Sequence, residues 1–167
     1  AVLEEARDSF LEALGAANEP VRRAGALGVA SVVRAAGGAG ALRRLKVLDR
    51  VKEAAAAEGK SAAGRRQGGL LCLDALAAGL GRTFEPYALA AMPLLLESCA
   101  DASRDVQVAG RAAAQTVVAQ VSGNGIKLLV SPVLEGLSDK RWRTQLSAID
   151  LLKPIVAELV AHSPKRL

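Results

Sequence analysis

The chain has 167 residues, of which 51% are hydrophobic and only 2% aromatic, and it carries a net charge of +5. A chain of this length can form one domain with its own core, and its small aliphatic side chains favour closely packed helices over an aromatic-rich β-core. No apolar run reaches the 18 residues that would indicate a membrane span, and the modest positive charge permits an acidic partner such as RNA without requiring one.

Eight helices are predicted in chain order, because apolar residues recur at i, i+3 and i+4 spacing. They cover about residues 2–15, 18–36, 41–57, 62–80, 85–99, 103–121, 125–137 and 140–162. Asn18 is a candidate cap for the second helix, and Pro20 suits its first turn because the missing N–H has no intrahelical partner there. Asp101 or Ser103 is expected to cap the sixth helix.

Glycine and proline modify this helical pattern at two places. Gly64, Gly68 and Gly69 each cost the fourth helix about 1 kcal/mol relative to alanine, which predicts a close approach by a neighbouring helix. Pro93 should kink the fifth helix, because it donates no hydrogen bond and its ring displaces the carbonyl four residues earlier.

A unit of two helices recurs about every 40 residues. The start of its second helix is marked by Val21-Arg22-Arg23, Arg65-Arg66-Gln67, Val106-Gln107-Val108 and Trp142-Arg143-Thr144. A helical-hairpin repeat of this period predicts an all-α fold, namely an α-solenoid of about four hairpins at residues 1–37, 40–81, 84–122 and 124–162. Solenoids mostly bind partners along an extended surface.

Both ends of the chain favour a longer array. The first residue is alanine, and residues 163–167 (SPKRL) resemble the opening of another helix, since proline suits a first helical turn. We therefore expect the chain to be a slice of a longer solenoid, in which neighbouring hairpins cover its end surfaces.

Several short motifs, taken in order, are more specific than the repeat itself. They are Leu80-Gly81 before Phe84-Glu85-Pro86-Tyr87, Met92-Pro93-Leu94-Leu95 before Asp101, Gly125-Ile126-Lys127 before Pro132, and Trp142-Arg143-Thr144. Over residues 65–167 the chain resembles the HEAT repeats shared by fungal translation elongation factor three and the giant ribosome-binding activator of the general amino-acid control kinase. Residues 1–64 are compatible with the same family. Two positions depart from its pattern, Pro154 inside a helix and Gln107 where arginine is usual.

The resemblance implies a right-handed superhelix and a non-catalytic role. It implies a segment of a cytoplasmic, translation-associated scaffold that docks on ribosomes and ribosomal RNA. It further implies contact with an ABC-family ATPase and regulation of the kinase that responds to starvation or stalling. No cofactor, metal ion, membrane or small-molecule substrate is expected.

Basic residues gather where the second helix of each hairpin begins. The candidate partner-binding residues are Arg22, Arg23, Arg65, Arg66, Arg104, Lys140, Arg141 and Arg143, together with Trp142. In a stacked solenoid they would form a basic ridge suited to ribosomal RNA. They could equally form a structural ladder with carboxylates of neighbouring turns, for which Asp101, Asp105 and Asp139 are placed. Trp142 is interpreted either as a lid packed over a hairpin boundary or as an exposed anchor.

Other residues favour no chemistry. Gly59-Lys60-Ser61 lacks the earlier glycine and the preceding strand of a phosphate-binding loop. His162 alone cannot build a catalytic relay or a histidine-rich metal site, and is expected to face solvent. Cys72 and Cys99 are predicted to be core residues of a chain kept in a reducing compartment. A second basic cluster is interpreted as a solvated helix face: Arg43, Arg44, Lys46 and Arg50.

Three other classes of protein were weighed against the translation scaffold. A tubulin-binding HEAT array would need a row of tryptophans along the turns, and this chain has one. An alkyl-base glycosylase would need an acidic residue in an aromatic-lined cleft, whereas the four aromatic residues here are scattered. Tubulin binding and a general transport or phosphatase scaffold stay open as alternatives.

Overall fold

The computed structural model describes residues 2–161, apart from the side chain of Glu158. Within that range there are nine α-helices and no strand: α1 (Val2–Ala13), α2 (Glu19–Ala35), α3 (Ala39–Arg44), α4 (Val47–Ala55), α5 (Ala63–Leu80), α6 (Glu85–Ser98), α7 (Arg104–Ala119), α8 (Gly123–Leu137) and α9 (Trp142–Ala161). None of the described helices is long and apolar enough to cross a membrane. The expectations for His162 and residues 163–167 lie outside the described range.

The helices pair into consecutive hairpins stacked side by side. Helix α1 packs on α2, α4 on α5, α6 on α7 and α8 on α9. Among the second helices, α5 packs closely on both α2 and α7, whereas α9 contacts α7 less extensively. The predicted all-α solenoid is confirmed, and its right-handed superhelical sense stays a prediction.

Residues 41–57 were expected to form one helix, and this expectation is wrong. The helix breaks between α3 and α4 at Lys46, whose φ of 49° lies in the left-handed region. The carbonyl of Leu45 accepts a hydrogen bond from Arg7 Nη1 at 3.2 Å, and Arg7 comes from the preceding hairpin. No glycine or proline marks the break, so a contact between hairpins accompanies it instead of a local signal.

The close approach predicted at the glycines of α5 is confirmed. A Cβ on Gly69 would lie 2.5 Å from the backbone nitrogen of Ala55, and one on Gly68 would overlap the carbonyl oxygen of Leu14. These two glycines therefore let α5 contact the backbones of both α4 and the turn that follows α1. Helix α9 contains no glycine, which fits its looser contact with α7.

The caps and prolines only partly follow the predictions. Asn18 and Ser103 occupy the cap positions of α2 and α7, yet neither side chain makes a capping hydrogen bond. Asp101 instead accepts the backbone N–H of Ser103 at 2.8 Å. Pro20 lies in the first turn of α2 as expected. Helix α6 continues through Pro93, and the kink expected there stays a prediction.

The quoted motif Phe84-Glu85-Pro86-Tyr87 contributes to two joints between hairpins. The Glu85 carboxylate accepts hydrogen bonds from the backbone N–H and the hydroxyl of Ser122 at 2.9 and 2.8 Å, which lowers the pKa of Glu85. The hydroxyl of Tyr87 donates to the carbonyl of Ala39 at 3.0 Å. These bonds join the third hairpin to the second and to the fourth.

The core is aliphatic and continuous through the stack, with Phe84 and Met92 among its bulkiest fully buried members. Cys72 and Cys99 are buried free thiols, as predicted. Burial in apolar surroundings raises the pKa of both thiols, so they stay protonated and behave as small core side chains.

Candidate interaction surface along the turns

The row of turns inside the hairpins forms one continuous surface, here called the turn edge. It comprises residues 14–18, 56–62, 99–103 and 138–141, with the first turns of α2, α5, α7 and α9. Side chains connect successive turns: Arg22 reaches Gln67, Arg66 reaches Asp101, and Arg141 lies 3.8 Å from Glu97. The predicted partner-binding residues all lie on this edge, but their environments differ sharply.

Arg22 is buried and serves the fold. Its Nε and Nη2 donate to Gln67 Oε1 at 3.0 and 2.6 Å, and its Nη1 donates to the carbonyls of Ala16 and Ala17 at 2.7 and 2.8 Å. Only 7% of the residue is exposed. Because its donors point inward and are used, we remove Arg22 from the candidate partner-binding set.

Arg66 joins the second hairpin to the third. Its Nε and Nη2 form a two-pronged ion pair with the Asp101 carboxylate at 2.7 and 3.0 Å, and both side chains are only 14% exposed. Its Nη1 donates to the carbonyls of Ala57 and Gly59 at 3.0 and 2.7 Å. Arg66 therefore forms the structural ladder with a carboxylate of the neighbouring turn. We remove it, like Arg22, from the candidate partner-binding residues.

The same register recurs in the third and fourth hairpins with glutamine in place of arginine. Gln107 Nε2 donates to the carbonyl of Asp101 at 2.6 Å, and Gln145 Nε2 donates to the carbonyl of Asp139 at 2.8 Å. Like Arg22 and Arg66, both hold the turn that precedes their own helix. These two residues and Gln67 are uncharged and were therefore not among the predicted site residues. For Gln107 and Gln145 the detectable signal is a glutamine six residues after an aspartate of the turn.

Asp139 and Arg141 pair within one turn. Asp139 accepts the backbone N–H of Arg141 at 2.7 Å and its Nε and Nη2 at 3.0 and 2.8 Å. The hydrogen bonds from the Arg141 side chain, then from its backbone, lower the pKa of Asp139 to about 2. Arg141 is half exposed, with 47% of its side chain accessible. Its charge is therefore largely balanced by the aspartate beside it.

Among the predicted partner-binding residues, four exposed cations have no carboxylate partner within residues 2–161. Arg65, Arg104 and Lys140 are exposed and make no hydrogen bond or ion pair in that part of the chain. Arg143 is exposed and contacts only an aromatic ring. We call these four residues the free cations. Arg23 differs from them, since it pairs with Glu19 on its own helix at 2.8 Å.

Trp142 is exposed, so its interpretation as a packed lid is wrong. It is 61% accessible at the start of α9, and the Arg143 guanidinium lies 4.7 Å from its ring centroid. Such a cation–π contact at an exposed site contributes about 0.5–1 kcal/mol. Trp142 and Arg143 thus form one small apolar and cationic projection beside Lys140.

The turn edge is not the uniform basic ridge that the sequence predicted. Glu58, Glu97 and Asp101 line the same groove of about 360 Å³ as Arg66 and Arg141. Acidic and basic side chains are mixed there, and along the edge the positive charge beyond the pairs comes from the free cations and from the exposed Lys60. In the second basic cluster, Arg44 donates to the carbonyl of Ala36 at 2.6 Å, while Arg43, Lys46 and Arg50 are exposed. Within residues 2–161 no group of three histidine, cysteine, aspartate or glutamate residues could hold a metal ion.

Comparison with known proteins identifies what the chain resembles. Residues 22–167 match the family described as EF3 N-terminal HEAT repeat. Protein ILITYHIA of Arabidopsis thaliana is 38% identical over 131 residues, and eIF-2-alpha kinase activator GCN1 of Dictyostelium discoideum is 34% identical over 131 residues. Each match covers 78% of this chain and 5% of the relative. Stalled ribosome sensor GCN1 of Homo sapiens is 34% identical over 88 residues, which is 53% of this chain and 3% of that protein.

Proposed function

The chain belongs to the EF3 N-terminal HEAT repeat family, and on that premise we propose that it is a non-catalytic segment of a translation-associated scaffold that docks on ribosomes. The segment acts as one continuous unit of four hairpins. Its relatives carry the names of a stalled ribosome sensor and of an eIF-2-alpha kinase activator. We extend to this chain a cytoplasmic role in regulating that kinase, together with an ABC-family ATPase partner.

The observation that supports ribosome docking is the set of free cations on the turn edge. Adjacent packed helices lie about 8–10 Å apart, so successive hairpins present these charges at intervals that a folded RNA backbone can match. An exposed cation without an intramolecular partner keeps its full attraction for phosphate, whereas a paired arginine must first give up its carboxylate. Docking therefore depends on Arg65, Arg104, Lys140 and Arg143, with Trp142 beside them.

The test is sedimentation with purified 80S ribosomes over a series of salt concentrations. The variant carries Arg65→Glu, Arg104→Glu, Lys140→Glu and Arg143→Glu, and it leaves the structural residues Arg22 and Arg66 intact. We expect the wild-type segment to bind with a log–log salt slope of about −3, as four phosphate contacts would give. The variant should lose at least about tenfold in affinity at low salt.

A matched control separates this surface from overall charge. Reversing four exposed cations away from the turn edge, with Arg43→Glu, Lys46→Glu, Arg82→Glu and Lys127→Glu, gives the same net charge. Circular dichroism first establishes that both variants fold. Equal loss of binding in both would show a nonspecific charge effect and contradict docking through the turn edge. Absence of binding by the folded wild-type segment at low salt would contradict ribosome docking altogether.

A further inference from the structure

A groove between α2 and α5 begins beside the turn edge, at Arg23, and runs along the second helices away from that edge. Both helices start at the turn edge, where Arg22 contacts Gln67, and at their far ends the side chain of Arg34 lies over Gly79. They therefore run in the same direction, and the groove of about 340 Å³ follows them. It extends from Arg23 to Arg34, which is about 16 Å along a helix at about 1.5 Å per residue.

The floor of the groove is apolar because the helices contribute very small side chains to it. Ala26, Ala30, Ala75, Ala78 and Gly79 line it, and they leave room that larger residues would fill. Leu27 stands at the rim and is 59% exposed. An exposed leucine beside a trough of alanines offers apolar surface that a ligand can bury.

The charges at the rim are unequal on the two sides. On the α2 side stand Arg23 and Arg34, and Arg34 has no hydrogen bond or ion pair within the described residues. On the α5 side stands Asp74, which is half-buried and also lacks such a partner among residues 2–161. A nucleic acid would lay its phosphates over an apolar floor and beside this carboxylate, so the groove favours a protein ligand.

The backbone groups that line the groove indicate whether that protein ligand binds as a helix or as an extended peptide. Its lining consists of helical residues, whose backbone groups are already bonded inside α2 and α5. An extended peptide would have its own backbone N–H and C=O groups unpaired on this floor, whereas a helix satisfies them internally.

We propose that the α2/α5 groove binds an amphipathic helix of a protein partner, about three turns long, with acidic residues on the flank that faces α2. Apolar residues at i, i+4 and i+7 of that helix fill the space over Ala75 and Ala78. A carboxylate on its flank pairs with Arg34, and an amide or hydroxyl on the opposite flank donates to Asp74. This site shares no residue with the free cations, so helix binding in the groove can be tested independently of ribosome docking.

The probe is a fluorescein-labelled synthetic helix of about 18 residues, with leucines at i, i+4 and i+7, glutamates along one flank and glutamines along the other. Binding is followed by fluorescence anisotropy, and amide chemical shifts of the ¹⁵N-labelled protein locate the site. We expect saturable binding with shifts at Leu27, Ala78 and Gly79. Arg34→Glu should weaken it about tenfold, because attraction becomes repulsion at the rim.

Two controls make the result decisive. Ala78→Trp fills the groove at an exposed helical position and should weaken peptide binding at least about tenfold. Arg43→Glu makes the same charge change as Arg34→Glu, but on α3. Its affinity for the peptide should differ from that of the wild-type protein by less than about twofold. A second peptide with every glutamate replaced by lysine should bind at least about tenfold more weakly. Equal binding of the two peptides, unchanged binding by folded Ala78→Trp, or shifts confined to another surface would each overturn the proposal.

Discussion

The turns of the third and fourth hairpins share one local design but differ in what holds them. In each, an aspartate accepts a backbone N–H two residues later, and a glutamine six residues later donates to that aspartate's carbonyl. Asp101 receives its guanidinium from Arg66, 35 residues earlier in the preceding hairpin. Asp139 receives its guanidinium from Arg141 in its own turn.

The difference follows from the residue at one register position. Arg66 is long enough to hold its own turn through Nη1 and still reach the next turn through Nε and Nη2. Gln107 occupies the corresponding position, and its side-chain amide donates to the carbonyl of Asp101. Asp139 is left to a local partner, so no buried two-pronged pair like that of Arg66 with Asp101 joins the third and fourth hairpins; Arg141 and Glu97 form a longer, exposed pair there at 3.8 Å.

The largest expected effect is the loss of that cross-hairpin pair. Asp101→Asn keeps the shape of the side chain but leaves the mostly buried Arg66 guanidinium without a counter-charge. We expect it to lower the free energy of unfolding by about 2–3 kcal/mol and the Tm by about 5–10 °C. Urea unfolding followed by circular dichroism measures the change.

Asp139→Asn is the matched comparison for Asp101→Asn. It makes the same chemical change in an exposed pair within one turn, so its effect on the midpoint of unfolding should be clearly smaller. If the two variants shift the midpoint equally, the cross-hairpin location of the Arg66 pair has no energetic consequence, and the distinction between the two turns fails.

The fold was largely predictable because its signals are local and periodic. Apolar spacing and the recurrence of hairpins predicted the solenoid, and the motifs over residues 65–167 identified the family that the comparisons bear out. The break at Lys46 was not predictable, because no local residue type marks it and Leu45 contacts Arg7 of another hairpin.

The candidate surface was predictable in location but not in the state of its charges. Arg22 and Arg23 are neighbours in sequence, yet Arg22 shares a helical face with the buried Ala26 and Val29 while Arg23 faces solvent. Helical phase could have separated these two. No local pattern could separate Arg65 from Arg66 in the same way, because the partner of Arg66 lies in the next hairpin.

A smaller effect is expected from restoring arginine in the third hairpin. In Gln107→Arg the introduced guanidinium should hold its own turn as Arg66 does and reach Asp139, giving the third and fourth hairpins a second ion pair beside that of Arg141 with Glu97. Because Arg141 already occupies Asp139, we expect a gain of about 0.5 kcal/mol alone and about 1 kcal/mol in an Arg141→Ala background. A double-mutant cycle on urea unfolding measures the coupling. Additive effects of the two substitutions would show that the introduced guanidinium does not reach Asp139.

The smallest effect concerns the acid titration of Asp139. Its pKa is lowered from 3.8 to about 2 in the folded chain, first through hydrogen bonds from the Arg141 side chain. A lowered folded pKa stabilises the protein fully above the unfolded value of 3.8, and this contribution is lost as the pH falls through about 2.

In Arg141→Ala the side-chain bonds to Asp139 are gone, so the Asp139 pKa should return towards 3.8, as carboxyl ¹³C titration by NMR would measure. Arg66→Lys is the control, since Arg66 binds a different aspartate and should leave the Asp139 titration unchanged. A midpoint that stays at about 2 in Arg141→Ala would mean that the backbone N–H of residue 141, and not its guanidinium, holds the carboxylate.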